Sequence, residues 1–221
     1  DGKMSKQVQL RSNGKMYTVG EEVFNAVSHG AGAALGIAGL IIAVIKAAAS
    51  GPLSIICAAV YCSSIIILYL MSTLYHAINP PRAKKVFRIF DHATIFLLIA
   101  GTYTPLTLLT VGGTLGTVIF SVLWGLTLLG IVLNAISIEK FKVFSMICYI
   151  AMGWCAVIAV KPLISNMAVP GLLLILLGGI FYTAGLFFYA KTKIKFMHSI
   201  WHLFVLTGSI LHYFAILFYV L

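Results

Sequence analysis

Of the 221 residues in this chain, 61% are hydrophobic and only 9% are charged. A soluble domain carries about 25% charged residues, so this charge cannot cover a globule in water and lipid is the expected solvent. The formal net charge of +10 raises nucleic acid as a partner. The basic residues, however, fall in short clusters between long apolar stretches, with no aromatic-interleaved basic face, which argues against nucleic acid and for anionic lipid headgroups.

In chain order, residues 1–20 form a short polar, basic tail without the apolar segment of a signal peptide. A helix needs about 20 apolar residues to cross the hydrocarbon layer. Seven such stretches follow, over about 25–46, 53–78, 91–111, 115–138, 143–160, 168–190 and 197–220. The expected fold is all-α, a single seven-helix transmembrane bundle spanning 21–221. Charge and turn residues punctuate it, as in Ser50-Gly51-Pro52, Asn79-Pro80-Pro81-Arg82 and Gly112-Gly113. Pro105 should kink the third helix, and Gly30, Gly32, Gly36, Gly178, Gly179 and Gly185 suit close helix approach. Cys57, Cys62, Cys148 and Cys155 form no CxxC pair and read as small buried hydrophobes rather than disulfide or metal residues.

Lys and Arg counts on alternating sides set the orientation. The tail and the second, fourth and sixth connections hold thirteen; the other side holds only Lys46 and Lys161. That asymmetry predicts an odd number of spans, a cytoplasmic N-terminus and an outside C-terminus.

Ionisable groups inside membrane helices are costly and mark function or a specific partner. Among five acidic residues, only Asp91 falls in a span, at the expected start of the third. His29, His76, His92, His198 and His202 fall at helix ends on the N-terminal side, and only His212 lies deeper. Four-residue spacing puts His198 and His202 on one helical face, and Ser72 and His76 likewise. Glu22, Asn25 and His29 make an i, i+3, i+7 stripe, whereas the neighbours Asp91 and His92 point about 100° apart.

Two imidazoles at i, i+4 with a third from a facing helix suit zinc, leaving a fourth position for water. The candidate ligands are His76, His198 and His202, with Asp91 to hold that water and Ser72 to support it from one turn away. Blander readings compete. An HxxxH pair alone is a weak signal. Asp91 is also suited to cap the third helix or to pair with Arg88. His29 and His92 also suit interfacial positions, Ser72 a bond to its own backbone, and His212 a helix-to-helix hydrogen bond. Trp124, Trp154 and Trp201 are too scattered for a cofactor box.

The ordered set Glu22-x-x-Asn25-x-x-Ser28-His29, Ser72-x-x-x-His76, Asp91-His92 and His198-x-x-x-His202 with His212 downstream resembles the hemolysin III family. That family is the bacterial branch of the progestin and adiponectin receptor superfamily. The resemblance runs from about residue 20 to the end and implies seven spans with the N-terminus inside a bacterial plasma membrane. It implies a zinc site on His76, His198 and His202, with Asp91 and Ser72 as the water-holding aspartate and serine. The superfamily is similar in layout to alkaline ceramidases, which implies amide hydrolysis of a lipid by the zinc-bound water; the functional expectation is a zinc-dependent hydrolase of a membrane lipid amide or ester, with membrane lipids as partners and substrate. The competing expectation is a non-enzymatic membrane effector with a structural zinc, such as a cytolysin or a regulator of membrane homeostasis. A third is an ion carrier using His29, His92 and His212.

Overall fold

The computed structural model describes residues 17–191 and 194–221. Among these every regular element is helical, and seven helical segments are long and apolar enough to cross a membrane. They are α1 (Val19–Ala47), α2 (Pro52–Ala77), α3 (Pro81–Pro105, continued by a π-helical turn over Leu106–Val111), α4 (Gly113–Ile136), a broken fifth span, α7 (Val169–Ala190) and α8 (Met197–Tyr219). The fifth span consists of α5 (Ile138–Gly153), a 3-10 stretch over Cys155–Ala159 and α6 (Val160–Asn166). The outer surface of the bundle is apolar: Ile41, Leu128, Val132, Ile147, Ile158 and Phe187 are all exposed. Lipid is the solvent that fits such a surface. The expected tail residues 1–16 and Lys193 lie outside the described residues.

Two helices begin well before their expected starts, and both differences matter for the site. α1 starts at Val19 because Thr18 and Glu21 form a capping box, each side chain satisfying the other's backbone N–H (3.3 and 2.8 Å). Glu21 and Glu22 are therefore helical, one turn below Asn25. α3 starts at Pro81, whose missing N–H costs nothing in a first turn. Asp91 and His92 consequently lie about ten residues, or roughly 15 Å, inside α3 rather than at its start. The capping reading of Asp91 is thereby overturned. Arg88 is taken by Glu139 at 2.6 Å, which removes the alternative pairing as well.

Pro105 does disturb α3. Lacking an N–H to donate, it is followed by a π-helical turn that ends at Gly112 and Gly113, both at positive φ (66° and 56°).

The apolar interior falls into two clusters. One joins α1, α2 and α8 through Tyr61, Leu68, Tyr69, Trp201 and Ile216. The other joins α3, α4 and the fifth span through Phe96, Leu123, Met152 and Leu163. α3 is the most buried span; α8 packs on both α7 and α1, which closes the bundle. Gly36 meets Ile65 and Ile66, and Gly178 lies so close to the His212 ring that a side chain there would displace it. The expected close approach holds at Gly32, Gly36, Gly178 and Gly185 but not at Gly30 and Gly179, where an added Cβ would find its nearest neighbour only at 3.7 and 3.9 Å. All four cysteines are free thiols.

Candidate metal centre

Three buried imidazoles converge at the N-terminal face. His76, in the last turn of α2, meets His198 and His202 from the first two turns of α8. One nitrogen of each lies within 4.8 Å of the others. The Nε2 atoms of His198 and His202 are 3.1 Å apart. Two ligands of a tetrahedral zinc with Zn–N bonds of ~2.0 Å are separated by about 3.3 Å, the edge of that tetrahedron. The nitrogen set therefore fits zinc in type and spacing, and the orphaned atoms support the fit: His76 Nε2 has no partner although it is buried. A polar atom buried without a partner calls for an explanation, and a metal ligand provides one.

His76 is oriented from behind. Its Nδ1–H donates to Glu22 Oε2 at 2.6 Å, which fixes the tautomer and leaves Nε2 with a free lone pair. Glu22 Oε1 is in turn paired with Lys84 Nζ at 2.7 Å, and the same ammonium reaches the carbonyl of Tyr75 at 3.1 Å. A carboxylate–histidine arrangement of this kind is what metal-ligating imidazoles ordinarily carry.

α1 lies along the α8 pair. Asn25 Oδ1 accepts from Ser199 Oγ at 2.6 Å, and Glu21 Oε1 accepts from the backbone N–H of Phe196 at 2.8 Å, where φ is +60°. Tyr17 closes the site from the tail side. It is buried, stacks on His198 at 4.8 Å and lies 5.5 Å from the His76 ring. Burial, with Tyr75, Asp91, Tyr189 and Glu22 as neighbours, raises its phenol above the ordinary value, so it remains a neutral hydrogen-bond donor.

The other expected site residues are more dispersed. Ser72 is fully buried on α2 and its Oγ has no partner; the bond to its own backbone is absent. Asp91 is buried and makes no hydrogen bond to the three imidazoles. Its Oδ2 lies 3.7 Å from His92 Nδ1, but that nitrogen's proton goes to the Arg88 carbonyl at 3.0 Å. His92 Nε2 accepts weakly from the Tyr189 hydroxyl at 3.5 Å. His212 donates from Nε2 to the Ile175 carbonyl at 2.9 Å, the helix-to-helix bond that its depth suggested. His29 departs furthest from expectation. It is 1% exposed, so the interfacial reading fails, and its ring stacks on His202 with centroids 3.6 Å apart.

A cavity of about 130 Å³ lies among α3, the fifth span, α7 and α8. None of the three candidate ligands lines it. His29 and Asp91 line it, together with Leu68, Ile95, Leu98 and Val205. Trp154 and Trp201, which the sequence pattern left as scattered aromatics, both border it.

A family model described as Haemolysin-III related matches residues 17–213. The chain belongs to the haemolysin-III family. This haemolysin-III chain is 47% identical over 204 residues to "Hemolysin-3" of Bacillus cereus, covering 92% of this chain and 93% of that protein. It is 43% identical over 205 residues to the "Hemolysin-3 homolog" of Bacillus subtilis (strain 168), covering 92% and 96%. A more distant match, 29% over 163 residues, is the human "Monocyte to macrophage differentiation factor", covering 71% and 67%. With seven apolar spans, the haemolysin-III chain is a multi-pass membrane protein.

Some contributors escaped the sequence reading. Glu22 stood in a visible stripe with Asn25 and His29 but carried no assigned role. Lys84 read only as an orientation charge, and Tyr17 as tail. The first had a local signal, an acidic residue leading into an apolar helix; the other two acquire their meaning only from tertiary contact.

Proposed function

We propose that this chain is a zinc-dependent hydrolase acting on a membrane lipid amide or ester, with its N-terminal face in the cytoplasm. The observation that carries this reading is the three-imidazole cluster of His76, His198 and His202. It is one ring, that of His29, away from a largely apolar cavity that the buried carboxylate of Asp91 also lines. Zinc, when held by these three residues, supplies Lewis acidity that polarises a carbonyl and lowers the pKa of water toward 7.

The protein supplies the rest. Asp91, whose carboxylate lines the cavity, accepts the proton of the attacking water at a carboxylate oxygen and returns it to the leaving amine or alcohol. Ser72 offers an unspent hydroxyl one turn from His76. Glu22 keeps the His76 proton on Nδ1. The apolar cavity wall takes up an acyl chain and excludes bulk water, which strengthens each of these polar contacts. The excess of Lys and Arg on the N-terminal face supports the orientation.

The test is release of fatty acid from long-chain N-acyl amides and esters by purified protein in lipid nanodiscs. The reading requires release that stops on zinc removal and returns when zinc is added. A zinc-loaded protein that cleaves none of these lipids overturns it. The names of the Bacillus relatives favour a second reading, a non-enzymatic membrane effector. Dye leakage from liposomes that persists in Asp91→Ala would favour that reading over hydrolysis.

A further inference from the structure

We infer that His29 recognises the polar head of the lipid and selects an amide over an ester, an inference that rests on the lipid-hydrolase reading. All six histidines of the chain are described, and five have committed at least one ring nitrogen. His76 uses Nδ1 on Glu22, His92 uses Nδ1 on the Arg88 carbonyl, and His212 uses Nε2 on the Ile175 carbonyl. His198 and His202 face each other through Nε2. His29 alone has neither nitrogen at hydrogen-bond geometry with a partner among the described residues, the backbone of His202 being a near neighbour, although the residue is 1% exposed.

Its position explains why packing alone is an insufficient account. One face of the ring lies on His202 at an interplanar angle of 12°, and the edge of Tyr69 stands 4.8 Å away. His29 also lines the cavity, beside Asp91 and Leu68. It therefore stands between the lipid-shaped space and the candidate metal ligands. It is not one of those ligands, since its nitrogens fall outside the group whose atoms lie within 4.8 Å of one another.

A neutral imidazole presents one N–H donor and one bare acceptor nitrogen. To satisfy both, the ligand must bring an acceptor and a donor to the part of the cavity that His29 lines. A long-chain amide has both, a carbonyl oxygen and an N–H. An ester linkage has acceptors only and leaves the bare nitrogen of His29 unpaired in an apolar site, a deficit that translates to about tenfold in affinity.

The experiment compares two ligands of matched length that differ only at the linkage and carry no hydroxyl, N-ethylhexadecanamide and ethyl hexadecanoate. Each is titrated against zinc-loaded full-length protein in nanodiscs and read in the first seconds by tryptophan fluorescence, since Trp154 and Trp201 border the cavity. Wild type should bind the amide about tenfold more tightly than the ester. In His29→Leu that ratio should fall to about one while zinc per chain stays at the wild-type level. His29→Asn keeps one donor group and one acceptor and should recover part of the ratio. A wild type without preference, or a preference that survives His29→Leu, overturns the inference; the latter is also what an ordered water on His29 would give. Hydrolysis is scored separately. An amide preference lost in His29→Leu without turnover refutes the hydrolase and keeps the recognition role, whereas turnover with an unaltered ratio does the reverse.

Discussion

The two ends of α8 treat polar groups in opposite ways. Toward its C-terminal half, they are mostly paired inside the protein. Ser209 takes the Tyr69 and Tyr182 hydroxyls, both at 2.7 Å. The Tyr213 hydroxyl reaches the Gly39 carbonyl at 2.9 Å and His212 reaches Ile175. Two atoms there, His212 Nδ1 and the Tyr61 hydroxyl, lack a partner; toward its N-terminal half such atoms are more numerous: His76 Nε2, His198 Nδ1, His202 Nδ1, Ser72 Oγ, Asn25 Nδ2 and both nitrogens of His29. Burying each such group costs on the order of 1–3 kcal/mol, so a cluster of them is affordable only where something else binds. The first region stabilises the bundle. The second concentrates donors and acceptors without partners among the described residues, which is where the proposed metal and ligand would bind.

The sharpest way to break this contrast is Asp91→Ala. If the N-terminal cluster is a reaction site, lipid turnover should fall by about 10²–10⁴-fold while zinc content is unchanged. Loss of zinc in that variant would instead make Asp91 a structural partner of the metal. Next is Glu22→Ala, which removes the acceptor behind His76 Nδ1. Zinc affinity, read by chelator competition, should weaken by about 10–100-fold; Lys84→Met, which leaves the Glu22–His76 bond in place, should do less. An unaltered affinity in Glu22→Ala would mean that the 2.6 Å contact plays no part in metal binding. On the paired side, Tyr182→Phe removes one hydroxyl from Ser209 and should lower stability by about 0.6 kcal/mol, with zinc content and affinity as in wild type. A metal effect from Tyr182→Phe would erase the distinction between the two regions.

Much of the architecture was legible because lipid imposes a coarse code. Hydropathy marks the spans, and the alternation of Lys and Arg fixes their parity. The misplaced boundaries have local causes. Glu21 and Glu22 looked like the end of a tail, yet the Thr18–Glu21 capping box pulls them into α1. Arg82 to Arg88 looked like a loop, yet Pro81 starts a helix there. The error at α3 carried the misreading of Asp91 as a terminal residue. The three candidate ligands were legible from depth and i, i+4 spacing, because helical geometry alone puts His198 and His202 on one face. His29 was not, because spacing gives a direction around a helix axis and not what the ring meets. Its contact with His202 depends on the α1–α8 packing.

The central claim is that His76, His198 and His202 together hold one zinc ion, and metal analysis of purified protein tests it most directly. Wild type should carry about one zinc per chain, and His76→Ala and His202→Ala, folded by circular dichroism, should each carry almost none, since a catalytic zinc is held by three protein ligands. Wild-type protein that takes up no zinc, or alanine variants that keep it, would contradict the account.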